Sequence, residues 1–156
     1  MIGAPESNYE LIFERVSDLL QRKVGHGLFT VSRALPGGHE VERIFTTNSA
    51  VYPVHGRKPV DQTDWTRMMQ RGECFVANRP EDFGEHFFDL STIVALGLGA
   101  VINVPVQHEN RLLGTLNLLD KPGAYPRSVV DACLEARELS VQGYLAYERL
   151  TANQSV

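Results

Sequence analysis

The chain reads as an α+β fold, an antiparallel sheet with helices before and after it, and three observations carry that expectation. The first is the stretch Gly99 to Asp120, where the apolar runs Gly99-Ala-Val-Ile-Asn-Val-Pro-Val106 and Leu112-Leu-Gly-Thr-Leu-Asn-Leu-Leu-Asp120 flank a polar Gln107-His-Glu-Asn-Arg111. Val, Ile, Leu and Thr favour strands and the polar segment can only be a solvated turn, so the pair reads as an antiparallel hairpin. The second is an amphipathic spacing of apolar residues from Glu6 to Arg22. The third is a long C-terminal helix, Pro126 to about Leu150, with two apolar stripes. One runs through Val130, Cys133, Leu134 and Val141, and the other through Val129, Ala132, Ala136, Leu139 and Gly143. A helix apolar over so wide an arc must bury more than one face.

The elements follow in order. In the first helix Tyr9, Ile12, Phe13, Val16, Leu19 and Leu20 recur three and four apart, with Ser7 or Asn8 as the cap. Gly25-His26-Gly27 breaks it, and Leu28-Phe-Thr-Val31 begins a strand that turns at Pro36-Gly37-Gly38 into a second strand, Glu40 to Phe45. Alternation in that second strand is imperfect, since Val41, Arg43 and Phe45 oppose Glu42 and Ile44 in direction. Asn48 to Pro59 reads as loop, because Pro53, Gly56 and Pro59 oppose any regular element. Thr63 or Asp64 caps a helix carrying Trp65, Met68 and Met69, stopped by Gly72, and Cys74 to Ala77 is a short strand. After a turn-rich link from Asn78 to Gly84, a helix is expected from about Glu85 to Leu96, ended by Gly97 and Gly99.

Composition sets the outer bounds. A chain of 156 residues, 43% of them hydrophobic, can bury one core and divides poorly into two, so residues 1–156 are expected to form a single domain. The formal charge of −4, with acids and bases mixed throughout, offers no basic face for nucleic acid. No apolar run approaches a membrane span, and Met1-Ile-Gly-Ala-Pro-Glu6 lacks the basic start and apolar core of a signal peptide. The expectation is a soluble, cytoplasmic protein without nucleic-acid or membrane partners. Cys74 and Cys133 show no CxxC spacing, which fits a reducing compartment and packed thiols rather than a metal site.

Two groups of residues stand out as candidates for function. Large aromatics collect in the irregular middle of the chain: Tyr52, Trp65, Phe75, Phe83, Phe87 and Phe88. Each alone reads as core; as a set they read equally as core or as the lining of a pocket. The second group lies on the hairpin. A strand period of two puts Val101, Asn103 and Pro105 on one face of its first strand, and Leu113, Thr115, Asn117 and Leu119 on one face of its second. An amide in such an apolar sheet costs about 1–3 kcal/mol unless it is bonded, so Asn103 and Asn117 are either paired with neighbours or aimed at something polar.

Val104-Pro105-Val106, the Gly114-Thr115-Leu116 step and the helix from about Arg127 resemble, in order and spacing, the end of a GAF domain. The resemblance implies a GAF/PAS-like architecture: a central antiparallel sheet, the first and last helices packed together on one face, and the middle segment folded over the other. Small ligands in that family bind between the sheet and the middle segment. Tyr52, Trp65, Phe75, Phe83, Phe87, Phe88, Asn103, Thr115 and Asn117 are therefore the candidate ligand-binding residues. The family resemblance also implies a homodimer through the helical face, built from Glu6 to Arg22 and Pro126 to Leu150, in keeping with the wide apolar arc.

Sharper functions within the family are weighed by their residues. Cyclic-nucleotide binders carry an Asn-Lys-x-x-Phe-x-x-x-Asp-Glu signature that Asn78, Arg79, Phe83 and Glu85 do not reproduce, and bilin carriers need a Cys followed by His, which neither Cys74-Phe75 nor Cys133-Leu134 supplies. A haem would need an axial His, and His86 alone reads better as a packing residue. No cofactor or metal is expected. The free methionine-(R)-sulfoxide reductase is a stand-alone GAF enzyme that uses a nucleophilic thiolate, a resolving thiol and acidic groups. Its acid-bearing strand positions fall here on Val101, Asn117 and Leu119, and only Cys74 lies in the middle segment. No catalytic residue is assigned. The leading expectation is a small-molecule-binding sensory or regulatory module, signalling to a separate effector protein since no effector segment is attached. The alternative is a thiol-dependent enzyme resembling that reductase.

Overall fold

The computed structural model describes residues 8–84, 87 and 89–154 of the chain. Six strands, β1 Leu28–Ala34, β2 Glu40–Thr46, β3 Arg57–Pro59, β4 Phe75–Ala77, β5 Ala100–His108 and β6 Arg111–Asp120, form one sheet in the order β3-β2-β1-β6-β5-β4. Every neighbouring pair is antiparallel. The helices are α1 Tyr9–Lys23, α2 Asp64–Gln70, α3 Leu90–Ala95, α4 Val130–Glu135 and α5 Arg137–Gln154. The fold is α+β, and β6 of the signature hairpin stands at the sheet's centre beside β1.

One face of the sheet is closed by helices. Phe29 and Val31 of β1, Ile102 and Val104 of β5, and Leu116 and Leu118 of β6 are all fully buried there, in one cluster with Phe13, Val16 and Leu20 of α1 and Tyr144 and Tyr147 of α5. Each such side chain contributes roughly 1.5–3 kcal/mol through its removal from water. Asn8 caps α1 by accepting a hydrogen bond from the Leu11 amide at 3.2 Å, as a short polar residue before the periodic run should. Two glycines make the layer possible. A Cβ on Gly114 would lie 1.9 Å from the Ser32 carbonyl oxygen, and one on Gly143 would lie 2.6 Å from the Phe13 ring. Gly114 lets the sheet and the Tyr144 hydroxyl close up, and that hydroxyl donates to the Ser32 carbonyl at 2.8 Å.

Several sequence expectations are corrected. The turn of the signature hairpin is only Glu109-Asn110, both with positive φ, so Gln107, His108 and Arg111 belong to strands; two left-handed residues match the twist of a tight hairpin. A bulge opposite Val106 and Gln107 inserts Leu113 into β6, which turns Leu113 to the helix-side core instead of the face of Thr115. A second bulge, opposite Val31 and Ser32, explains the imperfect alternation in β2: Ile44 is the extra residue, and both it and Phe45 pack toward the helices. Residues 57–59 pair with β2 in spite of Pro59, because an edge strand has one side on which the ladder needs no donor. The expected helix from Glu85 shortens to Leu90–Ala95, with Phe87 ahead of it, while Glu85, His86 and Phe88 lie outside the described residues. The long terminal helix is broken. A 3-10 turn, Arg127–Val129, precedes α4, and at Ala136 the backbone amide bonds to the Cys133 carbonyl, three residues back, at 3.1 Å.

Candidate functional site

The other face of the sheet carries a cavity of about 210 Å³. Leu28, Thr30 and Ser32 of β1, Asn103 of β5 and Thr115, Asn117 and Leu119 of β6 form its floor, and Val41 and Arg43 of β2 its side. Its cover is made from three separate segments: Tyr52 from the loop after β2, Trp65 and Thr66 from α2, and Phe87, Asp89 and Ile93 at α3. The Tyr52 hydroxyl donates to the Asp89 carboxylate at 2.5 Å and ties two of these segments together. α2 is held by its own cap, the Thr63 hydroxyl accepting from the Thr66 amide at 3.2 Å. A second, wider hollow of about 750 Å³ adjoins the first, and Trp65, Thr66, Val41, Val60 and Thr115 line both.

The floor is polar, and its hydrogen bonds run in one direction. Trp65 Nε1 donates to Asn103 Oδ1 at 2.9 Å, Asn103 Nδ2 to Asn117 Oδ1 at 2.8 Å, and Asn117 Nδ2 to Thr30 Oγ1 at 3.2 Å and Ser32 Oγ at 3.4 Å. An indole N–H can only donate, so it dictates that Asn103 turns its oxygen to Trp65 and its NH₂ onward, and the same orientation passes to Asn117. Asn103 and Asn117 are direct cross-strand partners, which is what lets the chain form. The amides are thus paired with each other and still border the cavity. Thr30 and Ser32, both acceptors here, keep their hydroxyl protons to donate elsewhere.

Charge is concentrated on one side. The Arg43 guanidinium lies 5.0 Å above the Tyr52 ring and donates from Nη1 to the Pro53 carbonyl at 3.0 Å. Its Nε is buried without a hydrogen-bond partner among the described residues. Burial lowers the Arg43 pKa, with the Tyr52 hydroxyl and Asp89 opposing the shift, although a guanidinium stays charged regardless. Lys58 is an exposed residue, yet the protein around its ammonium lowers its pKa as well, Asp89 opposing and Arg43 adding to the effect. Tyr52 is pushed up by burial first and then by its bond to Asp89, so its hydroxyl stays protonated.

Six of the nine residues expected from the sequence meet at this cavity: Tyr52, Trp65, Phe87, Asn103, Thr115 and Asn117. Phe83 and Phe75 do not border it. Phe83 is fully buried in a second cluster with Ile93, Leu98 and Val101, and Phe75 packs against that cluster with its ring 6.4 Å from Phe87. Phe88 and the candidate haem ligand His86 lie outside the described residues. Arg43, Lys58 and Asp89 were not expected. Arg43 was marked only by the irregular alternation of its strand, and nothing local marks Lys58 or Asp89.

Neither cysteine borders the cavity. Cys74 is half-buried and Cys133 buried, both against the helix-side core. Burial raises the Cys74 thiol, Arg137 and Arg127 opposing it, and pushes Cys133 up to about 12, with Cys74 adding. Thiols so placed are protonated at neutral pH, whereas a nucleophile must be a thiolate. Among the described residues no group of three or more His, Cys, Asp or Glu is placed to hold a metal ion, and no helix is long and apolar enough to cross a membrane.

Known proteins resemble this chain in structure rather than in sequence. No family model and no curated protein matches it. Solved structures match over nearly the whole length. The GAF domain of a two-component sensor histidine kinase from Bacillus halodurans is 13% identical with a TM-score of 0.68, covering 92% of this chain and 95% of that one. A GAF domain/HD domain protein from Geobacter sulfurreducens is 15% identical with a TM-score of 0.67, covering 97% of each. The photoproduct state of GAF3 from Slr1393 of Synechocystis sp. PCC6803 is 18% identical with a TM-score of 0.65, covering 96% of this chain and 100% of that one. With the hairpin, the helix-closed face and the covered cavity already in place, these likenesses identify the fold: this chain has the GAF fold.

Proposed function

We propose that this chain is a small-molecule-binding sensory module that reports the occupancy of the cavity under Tyr52, Trp65 and Phe87. The observation that supports it most is the asymmetry of the sheet, whose face opposite α1 and α5 pairs a polar floor with an aromatic cover in a cavity of about 210 Å³. Pockets that take small molecules are typically apolar with a few placed polar groups. Neighbours of the same fold include the GAF domain of a sensor histidine kinase and cyanobacteriochromes, which supports a sensory role by analogy of fold. The cover consists of short elements from distant parts of the chain, so a ligand held there would shift them relative to the rigid sheet. Output then passes to an effector, and the two free thiols support a cytoplasmic setting. The thiol-dependent alternative draws no support from the site, since the cavity contains no cysteine.

Native mass spectrometry of protein purified from its own host tests this reading: a retained mass that leaves on mild heating, and that alters Trp65 fluorescence as it leaves, is the expected result. Alkylation of Cys74 is expected to leave the fluorescence response intact, whereas its loss would favour the thiol enzyme.

The homodimer belongs to the same proposal. Val129, Leu134, Leu139 and Val141 remain half-buried on the helical side, and Leu150 is 39% exposed. Symmetric pairing of that surface would cover them. Sedimentation at micromolar concentration should give the dimer mass, with Val129→Glu or Leu139→Glu shifting it to the monomer. A monomer that neither substitution affects would end this part of the reading.

A further inference from the structure

Resting on the cavity as a binding site, we propose that its ligand is a small ring bearing a carboxylate, with the carboxylate held by Arg43 and Lys58 and the ring among Tyr52, Trp65 and Phe87.

Four charged residues border the cavity: Arg43, Lys58, Asp61 and Asp89. The two carboxylates are accounted for. Asp89 accepts the Tyr52 hydroxyl, while Asp61 is exposed and is not among the charges felt by either cation. The two cations are not. The charge of Asp89 is felt by both, yet neither Lys58 nor Arg43 has a direct ion pair among the described residues, and of the Arg43 guanidinium only Nη1 is bonded, to the Pro53 carbonyl. The floor adds donors rather than acceptors. Because the indole of Trp65 orients the amide chain, Thr30 and Ser32 end it as acceptors with their own protons still to donate.

A site with unpaired cations and spare hydroxyl donors is matched by an anion with several lone pairs, and a carboxylate accepts from a guanidinium and an ammonium together. The remaining walls are apolar and aromatic, which suits the flat face of a ring. The volume fits such a molecule. At about 210 Å³ the cavity is somewhat larger than the ~150 Å³ that admits benzene in an engineered protein core, enough for one ring and its carboxylate.

The chain's one tryptophan is Trp65, so its emission reads the site directly. The test titrates the intact protein with benzoate, benzamide and benzylamine, three probes of one ring differing in charge. Benzoate is expected to change Trp65 emission with an affinity roughly tenfold or more above that of benzamide, as a charge-assisted contact implies. Arg43→Gln and Lys58→Gln are each expected to reduce that preference severalfold. Lys58 sits on an exposed edge strand, so its variant keeps the test valid if the Arg43 variant does not fold. Equal or tighter binding of benzamide or benzylamine overturns the anionic class and leaves the cavity as a binding site. A benzoate preference unchanged in both variants overturns the assignment to these two residues. Silence from all three probes overturns both the class and the proposed site beneath it.

Discussion

The two faces of this sheet are built from the same strands and follow opposite rules. On the helix side the alternate residues Phe29, Val31, Ile102, Val104, Leu116 and Leu118 are fully buried against side chains of α1 and α5. One residue along, on the other side, stand Thr30, Ser32, Asn103, Thr115 and Asn117; Thr30, Asn103 and Thr115 are buried too, yet all border open volume, and all but Thr115 are bonded in a polar chain. Burial alone therefore does not distinguish the faces. What differs is that one is filled by apolar side chains at close contact, while the other spends buried positions on amides and hydroxyls and leaves space. The polar, partly empty face is where the fold keeps open volume beside buried polar groups.

Three experiments can break or sharpen that contrast. The largest effect is expected on the closed face. Gly114→Val drives a side chain into the Ser32 carbonyl, which stands 1.9 Å from any Cβ, and the backbone there cannot yield without opening the β1–β6 ladder. A loss of about 3 kcal/mol or more is expected in chemical denaturation. A cost near zero would mean that the closed face is not tightly packed.

The intermediate effect concerns the closed face's polar exception. Glu42 is buried at the helix side, accepting from Arg33 Nε at 2.8 Å and His55 Nδ1 at 3.0 Å. Burial alone would raise its pKa; the hydrogen bonds from Arg33 and His55, with the charges of Arg33 and Arg57, outweigh burial and hold it below the ordinary carboxylate value. A carboxyl depressed in the folded state adds stability that is fully present above the unfolded value and is lost as the pH falls through the folded one. Glu42→Gln should cost about 2 kcal/mol at neutral pH, and its gap from wild type should close in acid. A gap that widened as the pH fell would reverse the sign.

The smallest effect is expected on the open face. Asn103→Ala removes the donor to Asn117 Oδ1, but the adjoining cavity lets water replace it, so about 1 kcal/mol is expected together with a shift in Trp65 emission. A cost matching that of Gly114→Val would show that the amide chain is structural and would erase the proposed difference between the faces.

Much of the fold was legible in the sequence because its signals are local. The hairpin from Gly99 to Asp120 and the caps of α1 and α2 depend on residues a few positions apart; the hairpin stands where the spacing put it, and each cap is one of the two residues expected there, Asn8 rather than Ser7 and Thr63 rather than Asp64. That Asn103 faces Asn117 was not legible there: the expected five-residue turn would set Asn103 opposite Thr115, and it is the two-residue turn with the extra Leu113 that sets it opposite Asn117. Tertiary structure alone decided what the open face would contain. The bulges that turn Leu113 and Ile44 to the helix side exist only because two strands of unequal count must stay in register. Arg43, Lys58 and Asp89 meet because β3 pairs at the sheet edge and the Tyr52 hydroxyl reaches across 37 residues to Asp89. Spacing along a chain specifies which way a residue points within its own element. Which distant charges it meets is set by how those elements are folded over one another, and this is where the arginine left with an unpaired donor arose.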